Sequence, residues 1–407
     1  MRLFCTLAWR NLWRNKRRTM IAVASLVSAV VLALAFNGMQ LGQNELMIDS
    51  VVRLYAGYIQ VTGRGYWEKR TLDQSIELDE DRLGAISRVR HVSNATPRLE
   101  SFALISRGAA TKVSPVVGID PGREDRMTGL RRRVVSGSYL TMESTGALVA
   151  EGMARSLGVG VGDSIVLYGQ GYRGAVAAAV VPVAGIVKFP IPEMNKGILF
   201  LALPRAQELF AAEGRLTGLI IMIDAPDALD DVAAELLMFA KQGEEVLTWE
   251  KMMPEVVQSV EINNAGTILM LVILYVVIGF GIFGTVMMMT LERMREFGVL
   301  VAVGMSRNRL IGVAALESLM ISIGGAALGL VAGYPILLYF HLHPVQLTGT
   351  YADAMLAYGL EPILPVSIAA VNFVIQGGVA VVFGLLSALY PLVVLRRLAP
   401  VKAIREN

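Results

Sequence analysis

Cysteine is nearly missing from these 407 residues. Cys5 stands alone, and histidine occurs only as His91, His341 and His343. A disulfide framework is excluded, so any folded part outside the cytosol must hold by burial alone. A structural zinc site closes on about four ligands; His341 and His343, at the end of an apolar run, are too few and suit a loop or interface role better. No metal site is expected. No G-x-x-x-x-G-K-[ST] loop occurs, so nothing here grips a nucleotide's phosphates. Gly279, Gly281 and Gly284 have G-x-G-x-x-G spacing, but a dinucleotide fingerprint follows a strand and opens a helix. These glycines lie inside an apolar run and read as close-packing positions. Gly158, Gly160 and Gly162, with no Lys after them, read as a turn, and the Asn94-Ala95-Thr96 sequon is a match that arises by chance. The chain therefore reads as non-catalytic, with no cofactor of its own and no nucleic-acid partner.

Charge is scarce as well. Charged residues make up 17% against 54% hydrophobic, and the mean hydropathy is +0.55. The apolar residues concentrate in four runs, 20–41, 266–291, 310–340 and 366–395, with a long polar block at 42–262. A membrane span needs ~20 apolar residues, so four transmembrane helices are expected. The basic region is long and no small-residue cleavage site closes the first run, so it reads as an uncleaved anchor rather than a signal peptide. Residues 1–19 hold Arg2, Arg10, Arg14, Lys16, Arg17 and Arg18 and no acid. Arg293, Arg295, Arg307 and Arg309 crowd the connection at 292–309, and Arg396, Arg397, Lys402 and Arg405 the tail at 396–407; the loop at 341–365 has neither Lys nor Arg. Short connections rich in Lys and Arg stay in the cytosol. Both termini and the 292–309 connection are thus expected inside, and the 42–262 block and 341–365 loop outside.

Within 42–262 acids outnumber bases, and the block is long enough for its own core. Helix continues past residue 42 and gives way to a strand at 58–63. A helix at 78–89 follows, with Asp79, Glu80 and Asp81 at its dipole-positive end, then strands at 96–107 and 113–119. The texture from 120 to 192 is short strands and many glycines. Helices at 203–212 and 228–242 flank a strand at 218–224, and a helix at 250–263 is expected to run straight into the second span. The expected fold is an α+β domain of two lobes, the second β-rich and inserted in the first.

Two features inside the spans carry information. Glu317 is an acid near the start of the third, and an intramembrane carboxylate is a functional candidate by default. Its shallow depth favours pairing with Arg293 or Arg309 over an ion pathway. Gly325, Gly329 and Gly333 form a small-xxx-small row that lets two helices approach closely. Between spans, residues 290–310 read TLERMREFGVLVAVGMSRNRL. A short helix over 292–303, apolar at Phe297, Leu300 and Val301 and charged at Arg293, Arg295 and Glu296, is built like a docking element whose apolar face fills a partner's groove. Gly304 ends it and Ser306 is placed to cap the next helix. On spacing alone a solvated turn fits equally well.

That stretch resembles the E-R-x-R-E-[FI]-G-x-L-x-A-x-G-x-S-R signature of FtsX/MacB-like ABC transporter permeases, matched at Glu292, Arg293, Arg295, Glu296, Phe297, Gly298, Leu300, Ala302, Gly304, Ser306 and Arg307, and at Leu310 beyond. The basic segment ending LAWRNLWRNKRRT at Thr19 resembles the family's amphipathic opening helix, Glu317 falls where the family carries a Glu, and residues 388–391 and 398–405 resemble its closing motif. The resemblance implies four transmembrane helices with an extracytoplasmic α+β domain, a porter-like lobe with an inserted β-rich lobe, between the first two. It implies that the 292–304 helix is a coupling helix on a separate cytosolic ATPase, which alone holds ATP and magnesium, and that Glu292, Arg293, Arg295, Glu296, Phe297, Leu300, Gly304, Ser306 and Arg307 form that contact. A second permease subunit, identical or paralogous, and a bacterial inner-membrane location are implied too. The chain starts almost at its first span, unlike MacB-like chains with a fused ATPase, and the 42–262 block exceeds the external domain of FtsX-type division permeases. It is most similar to lipoprotein-releasing permeases, which implies a lipoprotein or lipid-like cargo and a periplasmic carrier or adaptor. Peptide or lipid efflux, force transmission to a cell-wall hydrolase, and a sensor with no transport cycle stay open, because a fold does not fix its cargo.

Overall fold

The computed structural model describes residues 2–14, 16–357, 362–387 and 389–396. The expected closing motif beyond Arg396 and the acid Glu361 lie outside the described residues. By contacts the chain divides into two units, one of Met1–Glu45, Val260–Gln346 and Ile363–Asn407, the other of Leu46–Ser259 and Leu347–Pro362.

Among the described residues of the first unit and its continuations, four helices are long and apolar enough to cross a membrane: Thr19–Val51, Pro254–Glu292, Arg307–Leu342 and Ala370–Arg396. The fourth begins at Ala370, four residues inside the apolar run, because the preceding segment is extended and bonded to the first helix: Ser367 N–H donates to the Gly38 carbonyl at 2.8 Å. The third helix packs on the first along its glycine row. A Cβ at Gly325 would lie 2.7 Å from Leu26 Cδ2, one at Gly329 2.7 Å from Val30 Cβ, and one at Gly333 2.6 Å from Leu34 Cδ1. Leu26, Val30 and Leu34 are accordingly buried, with Ala326 and Leu337. Lipid supplies no hydrophobic force between helices, so this close approach gains dispersion contacts that a larger residue would deny. Gly329→Leu should drive the two helices apart and cost about 1–3 kcal/mol; a thermal midpoint in detergent unchanged from wild type would contradict it.

Polar groups also meet inside this bundle. Asn37 Nδ2 donates to Asn372 Oδ1 at 2.8 Å, Asn372 Nδ2 to the Leu34 carbonyl at 3.1 Å, and Gln376 Nε2 to Asn372 Oδ1 at 3.3 Å. The Tyr275 hydroxyl donates to Gln376 Oε1, so the chain of bonds joins the first, second and fourth helices.

The second unit is built on one mixed sheet. Its strands are β1 (Ile59–Gly63), β3 (Val92–Arg107), β4 (Ala110–Ile119), β5 (Val134–Gly137), β6 (Ala147–Ala150), β7 (Ser164–Gln170), β8 (Val176–Val187), β9 (Leu199–Ala202), β11 (Gly218–Ile223) and β12 (Glu244–Thr248). The short β2 (Ile76–Glu77) and β10 (Arg215–Leu216) pair separately. The order is β12-β1-β11-β3-β4-β9-β6-β8-β5, with β7 bridging β3 and β8. Two hydrophobic cores form on it. One gathers Ile59, Ile86, Ile220, Leu236 and Trp249 from distant parts of the sequence; the other gathers Ile105, Val149, Met153, Leu167 and Val181 from the middle. The expected discontinuous and inserted parts are thus separate cores, but they share a sheet. The sixteen-residue β3 is the reason: residues 95–99 are buried on both faces, whereas Phe102 and Leu104 alternate with buried Ala103 and Ile105.

Local rules account for the helix ends. Asp79 caps Glu80–Ile86 by accepting from Arg82 N–H at 3.0 Å, and Asp120 caps Pro121–Thr128 by accepting from Gly122 and Arg123 N–H at 2.9 and 3.0 Å. Three expected helices are shorter than their apolar spacing suggests and a fourth is interrupted; 78–89 is helical over Glu80–Ile86 and 203–212 over Leu203–Leu209. The 228–242 segment is helical only over Leu229–Leu236, followed by a tight turn into edge strand β12. The 250–263 segment is broken at Met253 (φ −132°, ψ 64°), and the long helix starts anew at Pro254, where proline's missing N–H is harmless.

Candidate site at the turn between the second and third long helices

The long helix ends at Glu292 and Arg293 leaves helical geometry (φ −96°, ψ 2°), so the chain turns sharply into a nine-residue helix, Met294–Ala302. Gly304 stops it. Its φ of +106° suits only glycine, and its N–H donates to the Val301 carbonyl at 3.1 Å while Met305 N–H donates to Leu300 at 3.0 Å, the paired bonds of a Schellman stop. Ser306 then starts the helix Arg307–Leu342, yet its side chain makes no capping hydrogen bond; Arg309 and Leu310 N–H groups instead donate to its carbonyl. The expected capping role of Ser306 is corrected accordingly.

The short helix has two faces, and they are not divided as its sequence suggests. Phe297, expected to fill a partner's groove, is buried with Leu310, Ala314 and Leu395. Arg293, expected in the same contact surface, is also turned inward: its side chain is 10% exposed, it lies over the Phe297 ring at 4.9 Å, and it pairs with buried Glu317. A two-turn helix has apolar residues on both sides, and its period does not say which side faces the bundle. The outward face consists of Arg295, Val299, Leu300 and Val303, with Glu292, Arg307 and Arg309 exposed nearby.

The N-terminal helix Arg2–Arg14 completes the site. Asn11 Nδ2 donates to Glu317 Oε1 at 2.7 Å, so Glu317 receives Arg293 on one oxygen and Asn11 on the other. Arg14 pairs with Glu296, whose Oε2 also lies 3.5 Å from Arg293 Nε. Leu12 is buried with Ala22 and Ile321. Between the N-terminal helix and the turn helix lies a groove of about 670 Å³, walled by Asn11, Arg14, Arg295, Glu296, Leu300 and Met305 among others. Glu317 is therefore a fastener of three segments, as its shallow position suggests. Asn11 and Arg14 were not singled out from the sequence, which holds no one-dimensional signal pairing them with residues some three hundred positions away. No cluster of metal-ligating side chains occurs among the described residues.

An arrangement of this kind holds a small helix rigidly by one face and presents the other.

Two family models match the chain. The MacB-like periplasmic core domain covers residues 19–238, and the FtsX-like permease C-terminal covers residues 268–400. Among curated relatives, the lipoprotein-releasing system transmembrane protein LolC of Xylella fastidiosa (strain 9a5c) is 24% identical over 328 residues, covering 77% of this chain and 78% of that protein. The uncharacterized ABC transporter permease protein Rv0987 of Mycobacterium tuberculosis (strain ATCC 25618 / H37Rv) is 24% identical over 339 residues, 80% of this chain but only 37% of that protein. Among solved structures, the periplasmic region of MacB from Actinobacillus actinomycetemcomitans aligns over 53% of this chain and 95% of its own, at 13% identity and a TM-score of 0.37. The extracellular domain of the transporter YknZ from Gram-positive bacteria aligns over 47% of this chain and 100% of its own, at 13% identity and a TM-score of 0.34. With the core-domain model spanning more than half of its length and the permease model most of the remainder, this chain belongs to the FtsX/MacB-like family of ABC transporter permeases.

Proposed function

We propose that this permease docks a separate cytosolic ATPase on the outward face of its turn helix and passes the ATPase's stroke to the unit across the membrane, to release lipoproteins. ABC permeases of this family work with such an ATPase and a partner permease. The observation that carries the reading is the two-sided helix: Phe297 and Arg293 anchor it to the bundle, while Arg295, Val299, Leu300 and Val303 stand exposed. A force applied to the exposed face is received by packed and ion-paired side chains rather than lost in a loose loop. The sidedness follows the positive-inside rule, with both termini and the turn in the cytosol of a bacterial inner membrane and the 42–262 block outside. ATP and magnesium belong to the ATPase.

Lipoprotein is preferred as cargo because the LolC relative aligns along three quarters of both chains. Efflux of peptides or lipids is the second reading, favoured by the match to the MacB-like core. The test uses the chain co-purified with its ATPase. ATP hydrolysis should rise on adding an acylated lipoprotein and not on adding its unacylated form; a rise with soluble peptides alone would favour the second reading. Arg295→Glu should lower stimulated hydrolysis at least tenfold while insertion is unchanged, since Arg295 is exposed and has no ion-pair partner among the described residues. Reversing Glu296 as well is a poorer probe, because that carboxylate holds Arg14. Full stimulation of the Arg295→Glu complex would refute the docking face.

A further inference from the structure

We propose that the exposed face of the N-terminal helix, formed by Trp9, Trp13, Arg10 and Arg17, seats the headgroups of anionic phospholipids. This goes beyond the transport reading and does not depend on it. The helix Arg2–Arg14 is separated by one residue from the helix Lys16–Val51, whose candidate span starts at Thr19. Connectivity therefore holds it at the level where hydrocarbon gives way to headgroups. Its rotation is fixed from the protein side, by Leu12 buried against Ala22 and Ile321 and by the bond from Asn11 to Glu317.

That rotation leaves Trp9 54% and Trp13 55% exposed, their rings edge to face at 5.9 Å. Two large aromatics turned away from the protein suit a membrane interface, where the ring lies among acyl chains and the indole N–H meets the headgroups. Arg10, one position beyond Trp9, is exposed on the same side, and Arg17 and Lys16 continue it into the next helix, Lys16 with its ammonium 5.4 Å from the Trp13 ring. Among the described residues no carboxylate pairs with Arg10, Lys16 or Arg17, whereas Arg14 is paired with Glu296. Residues 1–19 contain no acid that could compete. Cations without a carboxylate partner, flanking an exposed aromatic pair, attract a negatively charged headgroup more than a zwitterionic one.

The test places the full-length protein in vesicles of phosphatidylcholine with about 30% phosphatidylglycerol, with bromine on the chains of one lipid or the other at constant composition. Quenching at Trp9 and Trp13 is isolated by subtracting the Trp9→Phe/Trp13→Phe variant, because Trp67 and Trp249 contribute equally to both. Per mole of bromine, the anionic lipid should quench at least twofold more than the zwitterionic one. The preference should vanish in about 0.5 M salt and in Arg10→Gln/Arg17→Gln, whose substitutions lie on the surface and leave the fold intact. Equal quenching by both lipids in the wild type would overturn the headgroup seat, and no quenching by either would assign this face to a protein partner instead.

Discussion

Replacing Glu124 by Ala should destabilise the β-rich unit by about 3–5 kcal/mol, the cost of breaking a buried ion pair from one side. Arg98, on β3, is 1% exposed, and Glu124 meets it with two bonds, Nη2 to Oε1 at 2.7 Å and Nε to Oε2 at 2.9 Å. Burial works to lower the Arg98 pKa, but Glu124, through charge and hydrogen bonding, and then Glu100 outweigh it, so the guanidinium is held above its ordinary range. Nearby, burial and then Glu100 hold the Tyr55 hydroxyl well above the usual tyrosine range, so it stays a donor to Glu100 at 2.8 Å. Removing Glu124 leaves a buried cation that cannot shed its proton with only Glu100, at 3.8 Å and without a hydrogen bond, as counter-charge. With a urea slope of about 2–3 kcal/mol per molar, the midpoint followed by Trp249 fluorescence should fall by roughly 1–2 M. Arg98→Met/Glu124→Leu should recover most of the loss, because a hydrophobic pair of similar volume carries no desolvation penalty. A midpoint unmoved by Glu124→Ala would mean that water reaches Arg98 and that β3 is not the dry seam between the two cores.

The pair was invisible in the sequence for the same reason that the single sheet was. Which Arg and Glu meet across β3 and the helix Pro121–Thr128 depends on strand order, and strand order is a long-range property. Local signals were readable: strand β11 and the acid-led helix Glu80–Ile86 follow from apolar spacing and charge. Strand β12 was missed because Glu244 and Glu245 open it; as an edge strand it is held by backbone bonds to β1 and tolerates charge. Asn372 and Gln376 could have been found. A polar pair inside an apolar run is costly in lipid unless bonded, and both are buried in the Tyr275–Gln376–Asn372–Asn37 chain. At the turn, the short helix and its glycine stop were legible, but the inward turn of Phe297 and Arg293 was not, since helical spacing fixes relative faces and leaves the absolute rotation to packing.

That rotation separates holding from docking, and Glu317→Ala should show it. The substitution leaves Arg293 buried with only Glu296 at 3.5 Å, which is already shared with Arg14, and deprives Asn11 of its acceptor. The expected cost is about 3 kcal/mol, the lower end for a buried pair because one counter-charge remains. It should appear as local release of the turn helix, read as trypsin cleavage after Arg293 and Arg295 accelerated on the order of a hundredfold, since each 1.4 kcal/mol of local opening is tenfold when reclosing is fast. Glu317→Gln keeps an acceptor for Asn11 and should fall between. Cleavage no faster than in the wild type would show that Phe297 packing alone fixes the helix. The two ends of the device then give different failures. On the docking proposed above, Arg295→Glu, on the outward face, should bind the ATPase more weakly and regain hydrolysis with excess ATPase, whereas Glu317→Ala should bind it normally and lose cargo-stimulated hydrolysis, because the surface is intact and only its attachment to the bundle has been loosened.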